Sequence, residues 1–222
     1  IYLDVGIAPL EFKQINTLVE QKNTKIQGFP QLNKSELLEI YQISHGNPSY
    51  INHALDLCFD CQLSGQEFEL STTFEGVLEF RLALLAHLNP IAYDILMCSA
   101  IIGDRINMNL VKEIFSIDDK TFKDVMIYLK KMDYITPINE IYCEFSSLTL
   151  WETIIKTAKN DINYTKINKK IYDYLTSFTL NSHAILGIIA QNLKEPELAL
   201  DIWTKNTRFA AYIGDLNLYA IS

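Results

Sequence analysis

Glycine and proline are both scarce here, 8 and 6 in a chain of 222 residues. An all-β protein needs a turn every ~8–12 residues, so the shortage points to helices. Arginine is scarcer still. Of 19 basic residues only Arg81, Arg105 and Arg208 are arginine, and arginine is the side chain best shaped to grip phosphate in a bidentate fork. No G-x-x-x-x-G-K-[ST] phosphate-binding loop occurs, and no two glycines lie close enough to cradle a phosphate. The chain therefore lacks the means to hydrolyse ATP unaided. No apolar run approaches the ~18 residues that cross a bilayer; Ala184–Ala190 is typical of the longest. No signal peptide is visible.

What is present is apolar and acidic. Hydrophobic residues make up 49% of the chain and charged residues 21%, enough apolar side chain to build packed cores. The net charge of −8 disfavours a surface that holds nucleic-acid backbones or anionic lipid and suits a protein that binds proteins. Cys58, Cys61, Cys98 and Cys143 each sit in an apolar periodic segment, which reads as buried thiols in a reducing, cytoplasmic setting. The start at Ile1 and the end inside a helical pattern at Ser222 read as a piece of a longer protein.

Helix signals recur along the chain. Phe12, Ile15, Leu18 and Val19 share one face of a first helix. Asn33 with Glu36 three residues on forms a capping box for a second. Asn47-Pro48 opens a third as cap and first residue, with Ile51, Ala54, Leu55 and Cys58 as its stripe and Gly65 at its end. A fourth runs from about Glu75 to Leu88. Asn89-Pro90 repeats the start signal for a helix that ends at Gly103. Two further helices follow, the second from Asp118. The runs 134–138 and 141–145 flank Asn139-Glu140 and read as a β-hairpin, with Pro137 restricting the first strand to an edge. Three helices and a hairpin in this order spell a winged helix-turn-helix. From Leu148 the pattern is helical to the end, the last pair having the size of a helix-turn-helix repeat. The expected fold is mainly α: a four-helix lid at 9–88, a winged helix with one β-hairpin at 89–146, and the start of a helical-repeat (TPR-like) domain at 147–222. Residues 1–8 read as the last strand and exit loop of a preceding domain.

Several residue groups invite sharper chemistry. Cys58-x-x-Cys61 with His45 and His53 suggests zinc, but a closed site wants four ligands and no second pair exists. The would-be recognition helix, 118–133, sets Lys120, Lys123, Lys130 and Lys131 against Asp118, Asp119, Asp124 and Asp133, a neutral sum where a groove-binding helix is basic. His45, His53, His87 and His183 have no nucleophile at any recognised spacing. Arg81 and His87 lie on one helix and read as exposed surface; Glu11, Glu36 and Glu75 read as first-turn acids.

At Ser44-His45-Gly46-Asn47-Pro48-Ser49-Tyr50-Ile51 the chain resembles the STAND class of AAA+-related signalling ATPases, as found in multidomain transcriptional activators and class III nucleotide cyclases. Further elements of that resemblance are Pro9-Leu10, Arg81-Leu82 with Leu88, Ile102-Gly103-Asp104-Arg105, the hairpin ending at Phe145, and Ala199-Leu200-Asp201-Ile202-Trp203. It implies a nucleotide-facing site at Gly46, Asn47 and Pro48, the proline packing on the purine. It also implies ATP or ADP with Mg held mainly by residues outside this chain, ATPase activity only with an upstream P-loop domain, protein partners on the helical-repeat region, and nucleotide-dependent homo-oligomers. Asn47-Pro48 is equally a good helix start and nothing more. Ser147 stands where the family has a nucleotide-sensing histidine, which favours a catalytically inactive scaffold as one alternative; a DNA-binding winged-helix regulator is the other.

Overall fold

The computed structural model describes residues 8–177 and 183–213. Among them are eleven helices and three short strands. The expected exit strand at residues 1–7 lies outside the described residues, as does Gly214. The chain divides into two compact units, each assembled from separated stretches: residues 1–93 with 124–136 and 146–153, and residues 94–123 with 137–145 and 154–222.

The first unit is built on α1 (Phe12–Lys25), α2 (Lys34–Ser44), α3 (Pro48–Ser64) and α4 (Phe74–Leu88). Local chemistry fixes their ends. Asn33 Oδ1 accepts the N–H groups of Ser35 and Glu36, while the Glu36 carboxylate takes the Asn33 N–H. Gly65, with φ 68°, closes α3. Thr73 caps α4 by accepting the Gly76 N–H at 3.1 Å. α3 is the central helix and packs against α1, α2 and α4. Every residue from His53 to Cys61 is buried, which a helix tolerates only when it has neighbours on all sides. Ile15, Ile40, Ile51, Leu55 and Leu78 are fully enclosed. The second half of α7 (Asp119–Lys131) and the first half of α8 (Leu148–Ala158) belong to the same unit.

The second unit holds most of α5 (Pro90–Ile102), then β1 (Arg105–Asn107), α6 (Met108–Phe115), β3 (Tyr142–Phe145), α9 (Tyr164–Ser177), α10 (His183–Asn192) and α11 (Pro196–Ile213). β1 pairs antiparallel with β3, Arg105 opposite Glu144 and Ile106 opposite Cys143. The sheet order is β1-β3-β2, with β2 (Ile135–Pro137) at the edge, the place Pro137 requires. Asn139 Oδ1 accepts the N–H groups of Ile141 and Tyr142, both at 2.8 Å, and shapes the hairpin turn. β1 is an addition to the single hairpin expected from sequence: three residues are too few to show a period of two. α10 packs on α9 and α11. Leu186, Ala190, Ala199 and Ile202 form their shared core, with Trp203 beside it. A Cβ on Gly187 would lie 2.6 Å from the Trp203 ring, so this glycine sets how closely α10 and α11 approach. The side chains of Phe209 and Ala210, expected in that stripe, lie outside the described residues.

Candidate functional site

Between α2 and α3 the backbone makes a tight reversal. His45 (φ 49°) and Gly46 (φ 76°) are both left-handed, a conformation costing a β-carbon-bearing residue ~1–2 kcal/mol. Ser44 Oγ accepts the Gly46 N–H at 3.2 Å and donates to the Tyr41 carbonyl at 3.0 Å. Asn47 then returns to extended geometry, and its side chain accepts the Tyr50 N–H at 3.1 Å. Pro48 occupies the first helical position, where a missing N–H costs nothing. The Leu10 N–H donates to the Gly46 carbonyl at 2.8 Å, drawing the 9–10 segment against the reversal. Pro9, Ser44, His45, Asn47, Pro48 and Ser49 line an open cleft of ≈ 460 Å³. Two sequence-separated signals, Pro9-Leu10 and Gly46-Asn47-Pro48, thus meet at one place, with the positive end of the 17-residue α3 facing it.

Deeper in the same unit is a cluster of charges that the sequence reading missed. Arg81 was read as exposed; it is fully buried, whereas His87 is exposed as expected. The cause is on α3, where His53, Asp56 and Asp60 recur at i, i+3 and i+7 and so share the face turned to α4. Arg81 Nε donates to Asp60 Oδ2 at 3.0 Å, and Arg81 Nη1 donates to His53 Nδ1 at 2.5 Å and stands 3.4 Å from Asp56 Oδ2. Arg81 Nη2 donates to the Met132 carbonyl at 2.9 Å, and the guanidinium lies 4.5 Å from the Tyr134 ring centre. From α1, Lys22 donates to Asp56 at 2.5 Å and to Asp133 at 3.0 Å. Asn52 also donates to Asp133 at 3.0 Å.

Burial outweighs attraction at the two inner carboxyls. It pushes Asp56 up to about 6 and raises Asp60, although Arg81 and Lys22 pull both down. At Asp133, burial is overcome by the Asn52 hydrogen bond and by Lys22, which hold its carboxyl below the usual range. Burial, with Arg81 and Lys22 nearby, holds His53 well below the usual imidazole value. His53 is therefore neutral, with Nδ1 as acceptor for Arg81.

Comparison with protein-family models finds no match, and comparison with curated proteins finds none either.

The remaining sequence candidates have structural duties. Ser147 Oγ accepts the Leu150 N–H at 3.1 Å and caps α8. All four cysteines are buried thiols; burial pushes the Cys61 thiol up to about 11 and raises Cys58 further. Glu11 is the cap of α1 rather than a first-turn residue, while Glu36 and Glu75 do lie in first turns. His53, Asp56 and Asp60 lie on the face of α3 opposite the stripe Ile51, Ala54, Leu55 and Cys58, where a helical pattern alone points to solvent, so the sequence pattern does not mark them as buried.

Proposed function

We propose that this chain is the regulatory portion of a nucleotide-switched signalling ATPase of the STAND class, working beside a P-loop domain outside the chain. The observation that carries this reading is the cleft where Pro9 meets the Gly46-Asn47-Pro48 start of α3. Its chemistry suits one edge of a nucleotide. Pro48 offers a rigid apolar face to the base, and the helix end offers partial positive charge. ATP or ADP, with its Mg, is held mainly by the P-loop domain. In this reading α1–α4 act as the lid, and α5, α6, α7 and the β2–β3 hairpin act as a winged-helix module. α10 and α11 begin a helical-repeat surface for protein partners, and the working protein is cytoplasmic. Nucleotide closes the assembly, and exchange frees the repeat region and permits homo-oligomers.

The test is ADP affinity and melting temperature of the full-length protein with Pro48→Ala or Pro90→Ala. Both prolines open helices, so each change should alter stability by less than ~1 kcal/mol. Pro48→Ala should also weaken ADP binding by ~1–2 kcal/mol, the loss of packing on one base face; Pro90→Ala should not. Equal affinities in all three proteins would leave Asn47-Pro48 as a helix start alone. A full-length protein that binds no ADP at all would favour an inactive scaffold, the second reading, which the capping role of Ser147 supports.

A further inference from the structure

The charge cluster around Arg81 fastens one particular piece of chain. Its outer partners are the Met132 carbonyl, the Asp133 carboxylate and the Tyr134 ring, three consecutive residues of the turn between α7 and β2. Tyr134 is fully buried, and its hydroxyl donates to the Arg81 carbonyl at 3.3 Å. Asp133 has φ 53°, a left-handed conformation that non-glycine residues keep only where surroundings enforce it. The turn is thus held against α1, α3 and α4 by charged groups as well as by its buried Met132 and Tyr134 side chains.

Hydrogen bonds do not satisfy all of those charges. Lys22 and Arg81 face Asp56, Asp60 and Asp133, and His53 adds none while neutral. Asp56 Oδ2 and Asp60 Oδ1 are both buried with no hydrogen-bond partner, a costly state for an ionised carboxylate. Tyr128 and Tyr134 of the α7–β2 segment border Asp60, and Lys25 of α1 borders Asp133. The site therefore gains from one more proton on a carboxyl. The same proton on His53 would set an imidazolium against the guanidinium at hydrogen-bond distance.

We propose that His53 and Asp56 are an opposed pair of proton-sensing groups that latch the α7–β2 turn onto α1, α3 and α4 through Arg81. The two work in opposite directions as acid is added. Asp56, raised to about 6 from an ordinary 3.8, takes up a proton more readily in the folded cluster. Its contribution is fully present below the unfolded value and is lost as pH rises through about 6. His53, held well below its ordinary 6.5, contributes above that value and loses hold as pH falls below it. Between the ordinary carboxylate value and about pH 6 the two slopes oppose each other and the pair flattens the latch's response, and the latch is tightest above 6.5, where His53 is neutral folded or unfolded.

Three chains decide it: wild type, Asp56→Asn and His53→Gln. Both replacements keep an acceptor for Arg81 and remove one titrating group. The readout is the protection of the Tyr134 amide, which donates to the Leu129 carbonyl at 2.9 Å, against hydrogen exchange at pH 7.5 and 5.0. Relative to wild type over this span, Asp56→Asn should lose about tenfold more protection and His53→Gln should retain more than wild type does. Carboxylates outside the cluster titrate alike in all three and cancel. Parallel pH profiles in the three proteins would overturn the proposal. Should a variant fail to fold, carboxyl carbon NMR of the wild type decides. A midpoint for Asp56 near pH 6 supports the pair, and an Asp56 carboxyl still fully ionised at pH 5 overturns it.

Discussion

At Gly46 two separate demands fall on one residue. Its φ of 76° excludes most side chains, and a Cβ there would stand 2.6 Å from the Leu10 carbonyl oxygen and 2.9 Å from Pro9 Cβ. The obstacle is backbone, which cannot rotate away. Gly65 makes only the first demand, since its φ is 68° and a Cβ there meets nothing within 4 Å. Gly65→Ala should therefore cost ~1 kcal/mol, the left-handed penalty alone. Gly46→Ala should cost ~3 kcal/mol, because overpacking adds ~1–3 kcal/mol. Urea midpoints of the two variants measure the difference, which isolates the contact closing the cleft. Equal costs would mean that the 9–10 segment shifts freely and the cleft is not a fixed feature.

Among the elements, what was legible in sequence follows the range of the forces involved. Helix starts at Asn33, Asn47 and Asn89 were readable because cap and helix lie within four residues of each other. The Asn139 turn was readable for the same reason. β1 was not, since three residues gain strand identity only from β3, which lies more than thirty residues on. Arg81 was misread because helical spacing on α4 says nothing of the carboxylates on α3. The cleft was half legible: its two segments were noted, and only the fold joins them. Gly187 is a similar case, an ordinary helical glycine until Trp203 is placed against it. Gly187→Ala would add ~1 kcal/mol of helix propensity yet drive a methyl into the Trp203 ring, at a cost of ~1–3 kcal/mol. The expected net effect is a loss of ~1 kcal/mol in the urea stability of the unit containing α10 and α11. A shift of Trp203 fluorescence, read in a Trp151→Phe background, should accompany it. A variant more stable than wild type, with fluorescence unchanged, would show that the close approach is not a constraint.

For the whole molecule the deciding quantity is charge. Nucleic-acid affinity comes chiefly from basic side chains that displace counterions from phosphates, and its salt slope counts those contacts. This chain carries −8 overall, and the four lysines of the 118–133 segment are matched by four aspartates. Two of these aspartates are already engaged: Asp119 pairs with Lys112, and Asp133 is held by Lys22 and Asn52. Those pairings occupy Lys112 and the buried Lys22, and Lys120, Lys123, Lys130 and Lys131 are the cations of the segment itself. Four exposed lysines on a strongly acidic protein produce at most a weak, sequence-blind attraction at low salt. The 222-residue chain should therefore give no mobility shift of duplex DNA at micromolar protein and near-physiological salt. A weak shift at very low salt should vanish without sequence preference as salt rises. A shift that persists, prefers one sequence and falls with a slope of several phosphate contacts would transfer the winged-helix reading from a nucleotide-controlled switch to a DNA-binding regulator. In that event Lys123→Gln and Lys130→Gln should each reduce the slope by about one, which locates the contact on α7.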